Sequence, residues 1–415
     1  MVRIRNVRSL RVGLGLLAFL LFGVGCQVET AVAVLPTRAA VAQVPAILPP
    51  TFTPPPETAV PSVTPIIPQA TSLPTNTPLP IPTNTPITPT PTVTATPTPD
   101  PNADATATPV VKPVDQYRYD EIIPVEAYPV PFGNNGWGMH WIPTTTQERG
   151  VVDRFVNEMV RMHIKWVVFL NDNGNVNGND YLVERLVANG IMPVMRLYLS
   201  TVEPYRDVGE IVRHYRAKGV YYFQIYNEPN TNVENGQGFA NPNSYALAWA
   251  QTARQVVSSG GLPGIGAFSP GGEYNHYDFL DRTLRALIYN GDGALLNHAW
   301  LSVHNYHGLR PYDDPDGFWL YRRYNDIVTA ILGRSLPIIG TEGGSYHPDP
   351  QVEKQYITWQ YTYMRDEREP YFLAYSNWLL ANQDGGGHDD TWEWQTLFRP
   401  GWVHPAVTDF FYQSN

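Results

Sequence analysis

The stretch Tyr221-Tyr-Phe-Gln-Ile-Tyr-Asn-Glu-Pro229 decides the fold, because it joins a buried strand to polar residues at the end of that strand. Its aromatic and apolar run predicts a strand in the interior of a sheet. A second run, Leu336-Pro-Ile-Ile-Gly-Thr-Glu-Gly-Gly344, ends in the same way at Glu342. If both strands belong to one parallel sheet, Glu228 and Glu342 lie at the same edge of it.

The rest of the folded part repeats this pattern. From residue 134 onward, short apolar runs alternate with amphipathic stretches of helical period, which is typical of parallel strands joined by crossover helices. The pattern predicts eight strands, at Trp137–Trp141, Lys165–Leu170, Met192–Leu197, Tyr221–Tyr226, Gly264–Phe268, Trp300–His304, Leu336–Thr341 and Phe372–Trp378. Helices are predicted at Glu148–Met162, Tyr181–Ala188, Asp207–Lys218, Ser244–Ser258, Asp278–Tyr289, Trp319–Leu332 and Gln351–Met364, with a short one near the C-terminus. This count predicts an α/β fold, a single closed (β/α)8 barrel.

Composition divides the chain into two parts. Between Pro36 and Pro113 lie 22 of the 40 prolines, interleaved with threonine and almost free of charge. Such a stretch cannot bury a core, so residues 26–115 are predicted to form a disordered, semi-extended linker. Residues 116–415 contain all 11 tryptophans and are predicted to form the one folded domain.

The N-terminus has the features of an export signal. Four arginines precede the apolar run Val12–Val24, which is short for a membrane-spanning helix, so residues 1–25 are predicted to be a signal peptide. The segment before Cys26 resembles the lipobox of bacterial lipoproteins, although Gly23 stands where that motif usually has leucine. The resemblance implies lipidation of Cys26 and a place at the cell surface, with the lipid as the only membrane contact. Cleavage near residues 31–33 with secretion, or an uncleaved anchor, are the alternatives.

Charge and cysteine content exclude several classes of function. Cys26 is the only cysteine, so the folded domain has no disulfide, no thiolate nucleophile and no cysteine metal site. Residues 116–415 contain 22 lysines and arginines against 33 aspartates and glutamates, a net charge of −11. This acidic balance argues against nucleic acid and anionic membranes as partners, and it suits a neutral ligand.

Closure of the barrel would bring polar side chains from most strands to one face, where enzymes with this fold keep their active sites. The candidates at or just after the predicted strand ends are His140, Trp141, Asn171, Asp172, Arg196, Asn227, Glu228, His304, Tyr306, Glu342 and Trp378. Their recurrence at the same end of successive strands indicates a shared site.

With these residues in place, the chain from about residue 134 to 378 resembles the retaining glycoside hydrolases of clan A. These are (β/α)8 barrels with catalytic glutamates on strands four and seven, and the likeness is greatest to the β-xylosidase-like and exopolysaccharide-cleaving branches. The matching motifs are Asn227-Glu-Pro229, Thr341-Glu-Gly343 and His304-Asn-Tyr306. The resemblance implies that Glu228 is the acid/base, Glu342 the nucleophile, Asn227 a donor to the sugar 2-hydroxyl, Tyr306 the hydrogen-bond partner of the nucleophile, and Trp378 the floor of the first sugar subsite. Arg196 is assigned to the site from polarity and position alone.

The expected chemistry is hydrolysis of β-glycosidic bonds in poly- or oligosaccharides by double displacement, without a metal or cofactor. Cleaving an acetal requires a proton for the leaving oxygen and a nucleophile for the anomeric carbon, which two carboxyl groups supply. The tryptophans Trp137, Trp141, Trp378, Trp392 and Trp394 are expected to offer flat faces to sugar rings, and His140, Asn171, Asp172 and His304 to hold hydroxyl groups.

Several alternatives stay open at this point. Glu273, after the fifth predicted strand, is a rival nucleophile. Trp392 and Trp394 either form a lid or pack their own loop, and the acidic pair Asp389 and Asp390 is a weak calcium candidate. A non-catalytic carbohydrate-binding protein and a transglycosylase of envelope glycans are the rival functions. The sugar, the linkage, endo or exo action and the oligomeric state depend on loop shapes that the pattern does not define.

Overall fold

The computed structural model describes residues 111–414, apart from residues 146, 173, 174, 237 and 389. The signal peptide, Cys26, the linker up to residue 110 and Asp389 lie outside the described residues, so the expectations about them stay predictions. Within the described part of the chain, no helix combines the length and the apolarity needed to cross a membrane.

Eight parallel strands close into a barrel in sequence order, which confirms the predicted (β/α)8 fold. They are β1 (Trp137–His140), β2 (Trp166–Asp172), β3 (Met192–Tyr198), β4 (Tyr222–Ile225), β5 (Leu262–Gly266), β6 (Trp300–His304), β7 (Ile338–Glu342) and β8 (Phe372–Asn377). Closure is direct, because β1 pairs with β8 as well as with β2. All eight strands therefore end at one face of the barrel.

The helices surround the barrel and bury one side each. They are α1 (Arg149–Arg161), α2 (Asp180–Ala188), α3 (Val208–Arg216), α4 (Pro242–Ser258), α5 (His276–Tyr289), α6 (Leu320–Leu332), α7 (Pro350–Asp366) and α8 (Pro405–Asp409). A two-stranded hairpin of β9 (Phe398–Arg399) and β10 (Trp402–Val403) precedes α8.

Two helices begin two residues before their predicted starts, for a shared reason. The side chain of Asn241 accepts hydrogen bonds from the next turn and Pro242 occupies the first helical position, so α4 begins there. Asn275 caps α5 in the same way, and α5 begins at His276. Strand β5 also ends earlier than predicted, since Gly266 (φ 111°) and Ala267 (φ 56°) turn the backbone out of extended geometry.

An N-terminal strap, defined here as residues 112–130, covers the end of the barrel opposite the strand carboxyl ends. Ile123 and Tyr128 are almost fully buried against interior residues near the strand starts, including Trp166, Tyr222 and Trp300. The Tyr128 hydroxyl donates to the carbonyl of Ala299 at 2.8 Å, directly before β6. The strap therefore closes the bottom of the barrel and leaves the other end open.

Two adjacent isoleucines of the strap, one buried and one exposed, should differ in how much their substitution lowers stability. Ile123 is 1% exposed and Ile122 is 53% exposed. We expect Ile123→Ala to lower the free energy of unfolding by about 2 to 5 kcal/mol, because it leaves a cavity against the barrel interior. Ile122→Ala serves as the matched control and should stay within about 0.5 kcal/mol of wild type in urea unfolding. Equal effects of the two changes would contradict this role of the strap.

Candidate active site

Glu228 and Glu342, distant in sequence, meet at the open end of the barrel. Glu342 is the last residue of β7, and Glu228 lies three residues beyond β4. Three atoms all lie within 4.8 Å of one another: a carboxylate oxygen of Glu228, a carboxylate oxygen of Glu342 and a ring nitrogen of His304. The strand-end pattern of the sequence thus corresponds to one compact cluster of functional groups.

Unusual backbone geometry directs Glu228 into this cluster. Tyr226 (φ 66°) and Glu228 (φ 36°) both adopt the left-handed region that residues with side chains rarely occupy. The amide of Glu228 donates to the carbonyl of Ala267 at 2.9 Å, which holds the turn in place. Strained residues of this kind cost about 1 to 3 kcal/mol each and cluster at functional sites.

Glu342 is buried and surrounded by groups that favour its carboxylate form. Its side chain is 8% exposed, and Oε1 lies 2.5 Å from Nη2 of Arg196 in a buried ion pair. The hydroxyl of Tyr306 donates to Oε2 at 2.7 Å. The next residue has to be glycine, because a Cβ at Gly343 would lie 2.3 Å from the ring of Tyr375.

The electrostatics of Glu342 follow from these contacts. Burial acts to raise the pKa of Glu342, but His304, Arg196 and the Tyr306 hydroxyl together outweigh burial and lower it to about 2. The Arg196 guanidinium and the Tyr306 hydrogen bond both stabilise the negative form. Glu342 is therefore ionised at neutral pH.

Glu228 has different surroundings. Its side chain is 25% exposed, and its one ion-pair partner among the described residues is His304, at 3.1 Å. No arginine or lysine of the described chain forms an ion pair with it, in contrast to Glu342. The two carboxyl groups thus sit side by side in unlike environments, which is the arrangement that lets one act as an acid and the other as a nucleophile.

His304 lies beside both glutamates. It is fully buried, and its Nδ1 lies 3.1 Å from Oε1 of Glu228 and 3.6 Å from Oε2 of Glu342. The ring nitrogen is the donor of the hydrogen bond to Glu228 when Glu228 is a carboxylate. Through Nδ1 the ring bridges the two glutamates, and the expectation that His304 holds a sugar hydroxyl stays a prediction.

Four other candidates do not line an open site. Trp141 is fully buried and packs on Phe155, and Trp137 is 1% exposed among core aromatics, so neither offers a face to a sugar. Asn171 donates to the carbonyls of Asp172 and Asn175, which uses its amide to shape its own loop. Asp172 is exposed at the end of β2 and makes no described contact with either glutamate.

Aromatic side chains extend from the cluster to the rim. Trp378 is 8% exposed, lies 4.3 Å from the ring of His140 and meets Trp392 at 5.5 Å. On the other side, Tyr346 stacks on Tyr306 at 5.3 Å and contacts Trp394 at 5.9 Å. Trp392 and Trp394 are 38% and 44% exposed, so they form part of the rim as well as packing on its inner rings.

His140 is a neutral member of the same wall. Its ring is fully buried, and Nδ1 lies 2.8 Å from the carbonyl of Trp141. Burial lowers the pKa of His140 to about 3, so it carries no charge at neutral pH. The ring can pack against a ligand on Trp378, but its buried position leaves little access for a hydroxyl group.

The same cluster contains the donor types of a metal site, two carboxylates and an imidazole. However, Arg196 already supplies the positive charge next to Glu342, at 2.5 Å. A divalent cation between the carboxylates would be repelled by this guanidinium. The residues present therefore suit an acid and a nucleophile better than a metal ion.

Two functional features were missed by the sequence analysis. One is the bridging position of His304, which depends on which way its ring points. The other is Glu234, whose Oε1 accepts a hydrogen bond from Nδ2 of Asn227 at 3.1 Å. Glu234 lies in an irregular loop where no strand or helix period indicates side-chain direction.

Comparison with known proteins adds the following. No protein-family model matches the chain, and no curated protein matches it in sequence. Among solved structures, a family 39 glycoside hydrolase from Bacteroides cellulosilyticus WH2 is similar at 13% identity and a TM-score of 0.47, over 69% of this chain and 63% of that one. An endo-1,4-β-mannanase from Rhizomucor miehei is similar at 13% identity and 0.42, over 70% and 97%. An endoglucanase from Thermotoga maritima is similar at 15% identity and 0.40, over 62% and 93%. These likenesses are too distant to decide function. The evidence for the barrel is the strand order of this chain itself.

The buried ion pair generates a stability prediction. Arg196→Gln should lower the free energy of unfolding by about 3 to 5 kcal/mol at neutral pH, because it leaves the Glu342 carboxylate buried without its cation. In a Glu342→Gln background the same change should cost much less, giving a coupling energy of about 2 to 3 kcal/mol in a double-mutant cycle.

Arg282→Gln is the control for this cycle, since Arg282 pairs with Asp278 on the exposed face of α5. Arg282→Gln should lower the free energy of unfolding by less than about 0.5 kcal/mol. Additive effects of the Arg196 and Glu342 changes would show that the pair is not coupled.

Proposed function

We propose that the protein is a retaining glycoside hydrolase that cleaves β-glycosidic bonds of poly- or oligosaccharides. The observation that carries this proposal is the approach of Glu228 and Glu342, with carboxylate oxygens within 4.8 Å. Retaining enzymes hold their two carboxyl groups about 5 to 5.5 Å apart, whereas inverting enzymes need about 6.5 to 9.5 Å to admit a water molecule. A distance of 4.8 Å or less between oxygens of the two carboxyl groups supports the retaining mechanism.

The reaction would proceed in two displacements. Glu342 attacks the anomeric carbon while Glu228 gives its proton to the leaving oxygen, which forms a glycosyl ester and releases the aglycone. Water then attacks the anomeric carbon of this ester, Glu228 takes the proton from that water, and the bond from the anomeric carbon to Glu342 breaks, so that Glu342 leaves as a carboxylate. Each glutamate thereby returns to its starting form.

The surroundings of the two groups support this division of roles. Arg196 and Tyr306 stabilise the anionic form of Glu342, which the first step consumes and the second restores. Glu228 is the more exposed of the two and has no arginine or lysine ion-pair partner among the described residues, so it can exchange a proton with substrate and water. The proton on His304 Nδ1 would stabilise Glu228 once it has become a carboxylate.

The proposed setting is the cell surface, through a signal peptide in residues 1–25 and a lipidated Cys26, or secretion if Cys26 is removed. The strap joins the barrel at the end opposite the glutamates.

Exchange of each glutamate for glutamine tests the assigned roles. Glu342→Gln should lower kcat by at least about 1,000-fold on every glycoside, because the nucleophile is lost. Glu228→Gln should lower kcat strongly on natural linkages and much less on aryl glycosides with good leaving groups, which need little protonation. Glu273→Gln is the control, since Glu273 is exposed and accepts the backbone N–H of Asn232.

Equal loss of activity on both kinds of substrate in Glu228→Gln would contradict the acid/base role. Binding of glycans without turnover by the wild-type protein would favour the carbohydrate-binding alternative. Products lengthened by an added acceptor sugar would favour transglycosylation.

The pH profile tests the hydrogen bond from Tyr306. Tyr306→Phe removes a donor that lowers the pKa of Glu342, so that pKa should rise by about one unit. Because Glu342 must be ionised to attack, the acid limb of kcat/KM should move to higher pH by the same amount. Tyr289→Phe is the control, as Tyr289 is 92% exposed at the end of α5 and makes no described contact with either glutamate. An unmoved acid limb in Tyr306→Phe would contradict the assignment.

A further inference from the structure

A third carboxylate, Glu234, lies in the loop between β4 and α4 and has no part in the two displacements. Its Oε1 accepts a hydrogen bond from Nδ2 of Asn227, the residue that precedes the acid/base, at 3.1 Å. Glu234 also interacts electrostatically with Glu228, Arg196 and Glu342. It therefore belongs to the same cleft as the two catalytic glutamates.

The loop that carries Glu234 is held in a defined shape. The side chain of Asn235 donates to the carbonyls of Pro229 at 3.0 Å and Thr231 at 2.6 Å. The amide of Gly236 donates to the hydroxyl of Thr201 at 2.8 Å, which ties the loop to the neighbouring strand-end loop. Asn235 and Gly236, the two residues after Glu234, are thus held in place, and this helps to keep the Glu234 carboxylate beside Asn227.

Glu234 has no cation of its own. None of the ion pairs among the described residues includes it, and Arg196 is committed to Glu342 at 2.5 Å. Burial raises the pKa of Glu234, with the nearby charges of Glu228 and Glu342 acting in the same direction. Keeping a half-buried carboxylate ionised without a positive partner lowers the stability of the protein, unless a ligand supplies the missing charge.

The amide of Asn227 points to the same kind of ligand. Because Nδ2 donates to Glu234, the orientation of the amide is set, and its Oδ1 is a buried acceptor without a hydrogen-bond partner. The carboxylate and this carbonyl oxygen both need donors. An ammonium group provides three N–H donors and a positive charge, whereas a hydroxyl group provides one donor and no charge.

We propose that Asn227 and Glu234 recognise a free amino group on the sugar bound next to the catalytic glutamates, so that the substrate class is a β-linked amino-sugar glycan. This inference rests on the proposed function for the position of the sugar. The substituent at C2 is the one adjacent to the anomeric carbon, which makes a 2-amino-2-deoxy sugar the fitting case. The net charge of −11 over residues 116–415 is compatible with a neutral ligand, but it complements a cationic polymer better and would attract it over a distance.

The test compares 4-nitrophenyl β-D-glucosaminide with 4-nitrophenyl β-D-glucoside, using the full chain. Wild type should show a higher kcat/KM on the glucosaminide. Glu234→Gln should lower the ratio of the two kcat/KM values by about 10- to 100-fold, the worth of a hydrogen bond to a charged group. Glu234→Asp should restore part of the ratio, and Glu273→Gln, a matched change in the next loop, should leave it unaltered.

A ratio that is the same in wild type and Glu234→Gln would overturn the proposal, as would a wild-type preference for the glucoside. Calorimetric binding of a β-1,4-linked glucosamine trisaccharide and of cellotriose, in a Glu228→Gln background, provides a readout without turnover. The glucosamine trisaccharide should bind more tightly, and adding Glu234→Gln should remove the difference. If the wild-type protein binds the glucosamine trisaccharide selectively but hydrolyses no glycoside, the proposed function is rejected and this inference is kept. If it hydrolyses glycosides without selectivity for the amino group, this inference is rejected and the proposed function is kept.

Discussion

The buried ion pair between Arg196 and Glu342 is the interaction on which the site depends. A carboxylate that is 8% exposed can persist in ionised form only if nearby groups replace the water it has lost, and the guanidinium at 2.5 Å is one of these groups. Tyr306 and His304 complete the set of stabilising neighbours. In the proposed reaction Glu342 acts as the anion, and the adjacent Glu228 is the carboxyl group that carries and exchanges the proton.

The barrel delivers this pair through a simple alternation along its strands. Residues two apart on a strand face the same side, so Val194 and Arg196 of β3 both face inward, as do Trp300, Ser302 and His304 of β6. Val194 and Trp300 lie near the strand starts, are apolar and pack on the N-terminal strap. Arg196 and His304 lie near the strand ends, are polar and form the site. Closure of the sheet places these polar residues opposite one another, and strand-end turns add Glu228.

Much of this could be predicted from the sequence, because strand ends in a parallel barrel share one face. The same alternation also explains two corrections. On β1, His140 faces inward, so Trp137 and Trp141 must face the helices, and both are core residues. The sequence analysis counted all three as site residues because it placed polar and aromatic groups by strand end without assigning the facing of each one.

Other features could not be predicted from pattern. The bridging position of His304 depends on a side-chain rotamer, and a shift in register between β6 and β7 pairs His304 directly with Glu342. Glu234 lies in an irregular loop shaped by asparagine side chains, which have no periodic signature. Loops of this kind determine which ligand a barrel binds, so the ligand class is less apparent from the sequence than the fold and the paired glutamates.

The central claim is that Glu342 becomes covalently bound to the sugar. The most direct measurement is mass spectrometry of peptides from the full chain after inactivation with activated 2-deoxy-2-fluoro glycosides, which trap the glycosyl ester of retaining enzymes. The account predicts a single label on the peptide that contains Glu342 and retention of anomeric configuration in the normal product. A label on Glu273, or a product of inverted configuration, would contradict it.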